Sequence, residues 1–92
     1  VFYFMQSMME AALKMGFSKN DSTVLVSQTF IGAVELFNQS NLSPTSWMDK
    51  VASKGGTTRA ALDSMKENNV NELIKDAAFA AFNRAVELGK EH

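Results

Sequence analysis

Apolar residues recur at three- and four-residue intervals throughout this 92-residue chain, which is the spacing of one face of an α-helix. Nowhere do four or more residues alternate between apolar and polar from one turn signal to the next, as a half-buried strand would. Glycine, proline, serine and asparagine break the pattern into five segments. We therefore predict an all-α chain of about five helices.

The first helix is predicted from Val1 to Met15, and Gly16 is expected to end it because glycine enters the left-handed conformation easily. Its methionines are open to two interpretations. They could line an adaptable binding groove, or they could belong to a core or a subunit interface, which their helical spacing favours. These methionines are Met5, Met8, Met9 and Met15.

The second helix is predicted to begin after Ser18, an N-cap followed three residues later by Asp21, and to end near Gln39. Its apolar residues are spread nearly all the way round the axis, so the helix must be covered on several sides. They are Val24, Leu25, Val26, Phe30, Ile31, Ala33, Val34, Leu36 and Phe37.

Three further helices complete the predicted fold. Ser43 and Pro44 open a third helix, because proline is favoured at the first helical position. A fourth helix closes near Asn69, and Asn71 is expected to cap a fifth helix that ends near Leu88. Trp47 is interpreted as a packing anchor, with a pocket wall as the alternative. The fifth helix carries an alanine-rich face, which lets another helix approach closely.

The segment from residue 53 to residue 58 is the chain's candidate ligand site. Glycines turn backbone N–H groups inward, and the start of a helix leaves unpaired N–H donors with a partial positive charge. The segment therefore has the features of a small site for a carboxylate or a phosphate. A plain capped turn with Thr57 as N-cap is the alternative, and the motif alone favours it. The six residues are Ser53, Lys54, Gly55, Gly56, Thr57 and Thr58.

Charge and residue types exclude several functions. Nine basic and ten acidic side chains leave a net charge of −1, which gives no electrostatic basis for binding nucleic acid or anionic lipid. Without cysteine, and with one histidine at His92, zinc or catalytic-triad chemistry is not expected. His92 is either native or the start of a purification tag. The carboxylates are interpreted as solvated, so no metal is predicted.

No apolar run approaches the roughly 18 residues of a membrane span, and no basic segment of a signal peptide precedes the first helix. The lack of cysteine fits a reducing compartment, so we expect a cytoplasmic protein. The chain starts at Val1, without an initiator methionine and within a helical pattern, so we expect it to be a piece of a longer protein.

The segment from Asp49 to Leu62 resembles the signature of pyrroline-5-carboxylate reductases, V-x-S-P-G-G-T-T-x-x-A-L, with Lys54 in place of its proline. Residues 28–33 are similar to that family's Q-T-x-x-G-A. The pair Asn69-Val70 stands where the family usually has Gly-Phe. The resemblance covers essentially the whole chain.

This resemblance implies an all-helical dimerisation domain of the 6-phosphogluconate dehydrogenase C-terminal-like type, spanning residues 1–92 and forming an interlocked homodimer. The family's N-terminal Rossmann domain, which binds NADPH or NADH, is absent from the chain, so the fragment alone should be inactive. The implied reaction is hydride transfer to the C=N carbon of 1-pyrroline-5-carboxylate, giving L-proline in the last step of proline biosynthesis.

The resemblance also implies the site residues. Ser53, Gly55, Gly56 and Thr57 would surround the substrate carboxylate, and Thr58 would place its hydroxyl near the ring nitrogen, where it assists protonation or orientation. Two alternatives stay open. One is a non-enzymatic helical interaction module that binds through the first helix, and the other is a domain of a paralogous imine reductase.

Overall fold

The computed structural model describes residues 1–52 and 56–90, and every regular element within them is an α-helix. The all-α prediction is therefore confirmed. The chain divides into two compact units, Val1–Trp47 and Met48–His92. The helices are α1 (Phe2–Lys14), α2 (Lys19–Asn38), α3 (Pro44–Val51), α4 (Thr57–Glu67) and α5 (Val70–Lys90).

In the first unit, α1 ends where the sequence predicted it would end. Gly16 has φ +105°, a left-handed conformation that costs glycine little. The N–H of Phe17 donates to the carbonyl of Ala12 at 3.2 Å, and the N–H of Gly16 donates to that of Leu13 at 3.1 Å. These two bonds form a Schellman motif, which pairs carbonyls that the end of the helix would otherwise leave open.

The start of α2 confirms the predicted N-cap. Ser18 has an extended backbone, and its Oγ accepts a hydrogen bond from the N–H of Asp21 at 3.1 Å. The chain then returns along α1, and the two helices pack against each other. Ser22, Val26 and Ala12 are the buried residues of the pair.

Aromatic packing closes the other end of this pair. The rings of Phe4 and Phe30 meet edge to face with centroids 5.9 Å apart, a favoured geometry for aromatic side chains.

Near the start of α3, the indole N–H of Trp47 donates to the Oγ of Ser40 at 2.9 Å. Ser43 Oγ accepts from the N–H of Ser46 at 3.1 Å, which confirms the predicted cap of α3.

In the second unit, α4 and α5 pack together through a turn at residues 68 and 69. Asn69 has φ 54°, a left-handed conformation that asparagine tolerates better than most residues. Its carbonyl accepts from the N–H groups of Glu72 and Leu73 at 3.1 and 3.2 Å. The predicted cap at Asn71 is therefore wrong, because α5 already begins at Val70 and Asn71 is its second residue.

Large apolar side chains remain exposed on every long helix. Helix α5 has no buried residue, and α2 has only Ser22 and Val26. Within residues 1–52 and 56–90, none of the helices has the length and hydropathy that spanning a membrane requires. Exposed apolar residues of α2 and α5 include Val24, Leu25, Ile31, Val34, Leu36, Phe37, Leu73, Ile74, Phe79 and Phe82.

Candidate functional site

The predicted site segment lies at the start of α4. Gly56 is the N-cap with φ −84° and ψ 175°, and Thr57 is the first helical residue. Thr57 is therefore not the cap, contrary to the plain-turn interpretation, because the backbone turns into the helix one residue earlier. Gly56 is partly buried, whereas Thr57 and Thr58 are exposed. The predictions for Ser53, Lys54 and Gly55 fall outside the described residues.

The backbone at this helix start contains N–H donors that no carbonyl of α4 accepts. The first hydrogen bond of α4 runs from the N–H of Ala60 to the carbonyl of Gly56 at 3.1 Å. The N–H groups of Thr57, Thr58 and Arg59 precede that bond and have no acceptor within the helix. Glycine at the N-cap offers no side-chain oxygen, and α4 has no side-chain cap and no acidic residue in its first turn.

Helices α2 and α3, in contrast to α4, are capped by side chains at their starts. At the start of α2, the Oγ of Ser18 accepts from a backbone N–H, and the carboxylate of Asp21 lies in the first turn. At the start of α3, the Oγ of Ser43 accepts from a backbone N–H in the same way. Helix α4 has neither feature, and α1 also lacks both. A helix start of this kind is suited to an oxygen anion such as a carboxylate.

The methionines of α1 contribute to two open apolar grooves beside α2. Met8 and Met15 line one of about 210 Å³, together with Phe17, Leu25 and Phe30. Met5 and Met9 line a second of about 400 Å³. Ser22 also lines this second groove, is fully buried, and its hydroxyl has no hydrogen-bond partner among residues 1–52 and 56–90.

Sequence reasoning missed Ser22. The signal was available, since Ser22 lies four residues before Val26 on the face that α1 covers. Elsewhere, among residues 1–52 and 56–90, no three His, Asp or Glu side chains come together as a metal site.

The described elements define the chain as an all-helical domain in which α4 begins at a glycine without a side-chain cap. A family model described as pyrroline-5-carboxylate reductase dimerisation matches residues 1–88. The chain belongs to this family, as the resemblance predicted.

Individual relatives agree with the family match. Pyrroline-5-carboxylate reductases of Pseudomonas aeruginosa and Vibrio alginolyticus are each 34% identical to the chain, over 98% and 97% of it. A solved pyrroline-5-carboxylate reductase of Coxiella burnetii is 36% identical with a TM-score of 0.88, over 95% of this chain and 32% of that one. The Plasmodium falciparum pyrroline carboxylate reductase, solved with NADP bound, is 32% identical with a TM-score of 0.84, over 87% of this chain and 32% of that one.

The chain spans about a third of the length of these relatives, 33% for each of the two bacterial enzymes compared by sequence. Its helices therefore correspond to one part of a longer protein in those relatives. The family match establishes the fold and the family of this part, and the roles of individual residues in the site stay predictions.

Proposed function

We propose that residues 1–92 are the C-terminal dimerisation and substrate-site domain of a pyrroline-5-carboxylate reductase. The complete enzyme would reduce 1-pyrroline-5-carboxylate to L-proline with NADPH or NADH, in the last step of proline biosynthesis. The observation that carries the proposal is the family match over residues 1–88. The open start of α4 supports it independently, because the substrate is a carboxylate and this helix start is suited to one.

The cofactor would be held by an N-terminal Rossmann domain outside this chain. NADP bound in the Plasmodium falciparum relative supports a nicotinamide cofactor for the family. When bound, the nicotinamide supplies the hydride that adds to the C=N carbon. The nitrogen takes up a proton in the same conversion, so the described residues need to supply only orientation, charge stabilisation and a hydroxyl near nitrogen. A cysteine-free chain is consistent with a cytoplasmic location for this enzyme.

In the proposed complex, the substrate carboxylate would lie at the start of α4. The N–H groups of Thr57 and Thr58 would donate to its oxygens, and Ser53, Gly55 and Gly56 would line the approach. The hydroxyl of Thr58 would face the ring nitrogen and orient or relay its proton. Thr58 is an exposed residue, which agrees with a side chain that contacts a ligand.

The proposed enzyme is a homodimer formed through this domain. The exposed apolar side chains of α2 and α5 support this assembly, because a single chain leaves them in water. The same observation weighs against a non-enzymatic module that binds partners only through α1. Interfaces of stable dimers commonly bury about 800 Å² or more on each partner, mostly through such residues.

A substrate comparison tests the proposed function in the longer protein. We expect rapid NADPH oxidation with 1-pyrroline-5-carboxylate. With 1-pyrroline, which lacks the carboxylate, kcat/KM should be about 100-fold lower. That factor corresponds to the loss of one or two hydrogen bonds to a charged group, each worth about 1.5–3 kcal/mol. Equal turnover of both imines would favour a paralogous imine reductase, and no turnover of either would favour an interaction module.

A further inference from the structure

Gly32 lies in the middle of α2, where glycine is an unfavourable residue. A glycine within a helix destabilises it by about 1 kcal/mol relative to alanine. Outside its own stretch of helix, no heavy atom of the described residues lies within 4 Å of the position that a Cβ would take on Gly32, and the φ of Gly32 is not in the left-handed region. Neither crowding within the chain nor backbone conformation therefore accounts for glycine at this position.

The side of α2 that contains Gly32 carries apolar residues together with the polar residues Asp21, Gln28 and Gln39. It lies next to the face that packs on α1, since Leu25 on this side also lines the groove beside α1. Leu25 and Leu36 flank Gly32 at helical spacing, and they are 47% and 49% exposed. The buried residues Ser22 and Val26 mark the side that packs on α1. At 100° per residue, Val26 points about 120° away from Gly32 around the axis. Gly32 is thus a shallow notch between two half-exposed leucines, on a side of α2 that also carries polar residues.

We propose that a helix of a second copy of this chain crosses α2 at Gly32. Helices usually pack with their axes 8–10 Å apart, and a residue without a side chain at the crossing point allows the closer end of that range. Leu25 and Leu36 would then pack on either side of the crossing helix. The inference rests on the proposed homodimer, and it names the point of closest approach within it.

A second copy is the occupant that the observations favour. The family is described as a dimerisation family, so a second copy of the same domain is the expected neighbour. The alanine-rich face of α5 supplies a helix that suits a close crossing, since Ala77, Ala78 and Ala81 add little bulk. A two-fold dimer would contain the crossing twice, once on each chain.

The test compares three variants of the 92-residue chain. Gly32→Leu fills the notch, and Gly32→Ala adds a single methyl group. Thr23→Leu is the matched control, because Thr23 is an exposed residue of α2 nine positions earlier, about 180° from Gly32. Dimer dissociation constants are measured by sedimentation equilibrium, in mild urea if the dimer is too tight to dissociate, with helicity followed by circular dichroism.

Gly32→Leu is expected to raise the dissociation constant at least 30-fold and Thr23→Leu less than threefold, with unchanged helicity. Gly32→Ala is expected to raise it at least threefold, although alanine favours the helix, and this variant decides the matter if Gly32→Leu does not fold. Equal dimer affinity in wild type and both Gly32 variants would overturn the crossing, as would equal weakening by Thr23→Leu. A monomeric wild-type chain would instead overturn the proposed homodimer.

Discussion

Two residues with positive φ set the direction of the chain at its tight turns. Gly16 ends α1 at φ +105°, and Asn69 separates α4 from α5 at φ 54°. The residue types follow from sterics, because a Cβ in the left-handed region approaches the following carbonyl oxygen. The end of α1 at Gly16 was predictable because glycine commonly ends a helical pattern. The position of the turn at Asn69 was not, because Asn68 and Asn71 are asparagines as well.

Replacing Gly16 should test this role directly. We expect Gly16→Ala to lower the free energy of unfolding by about 1–2 kcal/mol, because alanine is strained at this φ. The matched control is Gly89→Ala, since Gly89 lies within α5 with open space around it. There the same substitution should leave stability unchanged or raise it by up to about 1 kcal/mol. Urea unfolding monitored by circular dichroism measures both, and equal effects at the two glycines would contradict the argument.

The proposed role of Thr58 leads to a second prediction, made for the complete enzyme. Thr58→Val keeps the shape of the side chain and removes the hydroxyl, so kcat/KM for 1-pyrroline-5-carboxylate should fall at least tenfold. General acid or base assistance typically contributes 10²–10⁴-fold, and a hydroxyl that orients a proton contributes less. Thr23→Val serves as the control, because Thr23 lies on α2 with its hydroxyl bonded to the carbonyl of Lys19.

The dimer should persist in both threonine variants, as measured by light scattering. Near-normal turnover by Thr58→Val would remove this hydroxyl from the reaction. A loss of turnover in Thr23→Val as large as in Thr58→Val would instead indicate a general effect on folding.

Among the elements, local capping chemistry explains why some boundaries were predictable. Ser18 and Ser43 each precede a helix with a clear start signal, and both cap it as expected. The interpretation of Thr57 as the cap of α4 was wrong, because a glycine and a threonine stand side by side there and either can be the N-cap of a helix. The backbone dihedrals decide between them, and residue types alone do not determine those angles.

The start of α4 allows a prediction in which stability and substrate binding change in opposite directions. Gly56→Asp places a carboxylate at an N-cap that has no side-chain oxygen, at φ and ψ values that aspartate readily adopts. The chain should become more stable by a few tenths to about 1 kcal/mol. In the complete enzyme, the new carboxylate would occupy the position proposed for that of the substrate and repel it, so KM should rise at least tenfold.

Gly56→Ala is the control for Gly56→Asp, because it adds a Cβ without a charge. Urea unfolding of the 92-residue chain and steady-state kinetics of the complete enzyme supply the two measurements. If Gly56→Asp stabilised the chain and left KM unchanged, the substrate carboxylate would not bind at this helix start. If alanine raised KM as much as aspartate, steric exclusion rather than charge would explain the change.

At the scale of the whole molecule, the sequence contains more apolar helix surface than its described contacts cover. This was predictable for α2, whose apolar residues surround the axis, and for α5, whose alanines and phenylalanines form a broad face. Where those surfaces meet a partner was not predictable, because periodicity identifies a face and leaves its neighbour open. Gly32 illustrates the difference, since its place in the family motif was recognised while its open surroundings emerged only from the structure.

The 92-residue chain alone should therefore form a dimer at micromolar concentration, and its unfolding should depend on protein concentration. For a dimer that unfolds to two chains, each tenfold rise in concentration adds about 1.4 kcal/mol to the apparent stability. With a urea dependence of about 1–3 kcal/mol per molar, the midpoint should rise by roughly 0.5 M or more per tenfold increase. Light scattering supplies the mass, and a reductase assay of the same sample should give no turnover, because the proposed cofactor domain is absent. A monomeric mass with a concentration-independent midpoint would contradict the dimer, and measurable turnover would contradict the two-domain enzyme.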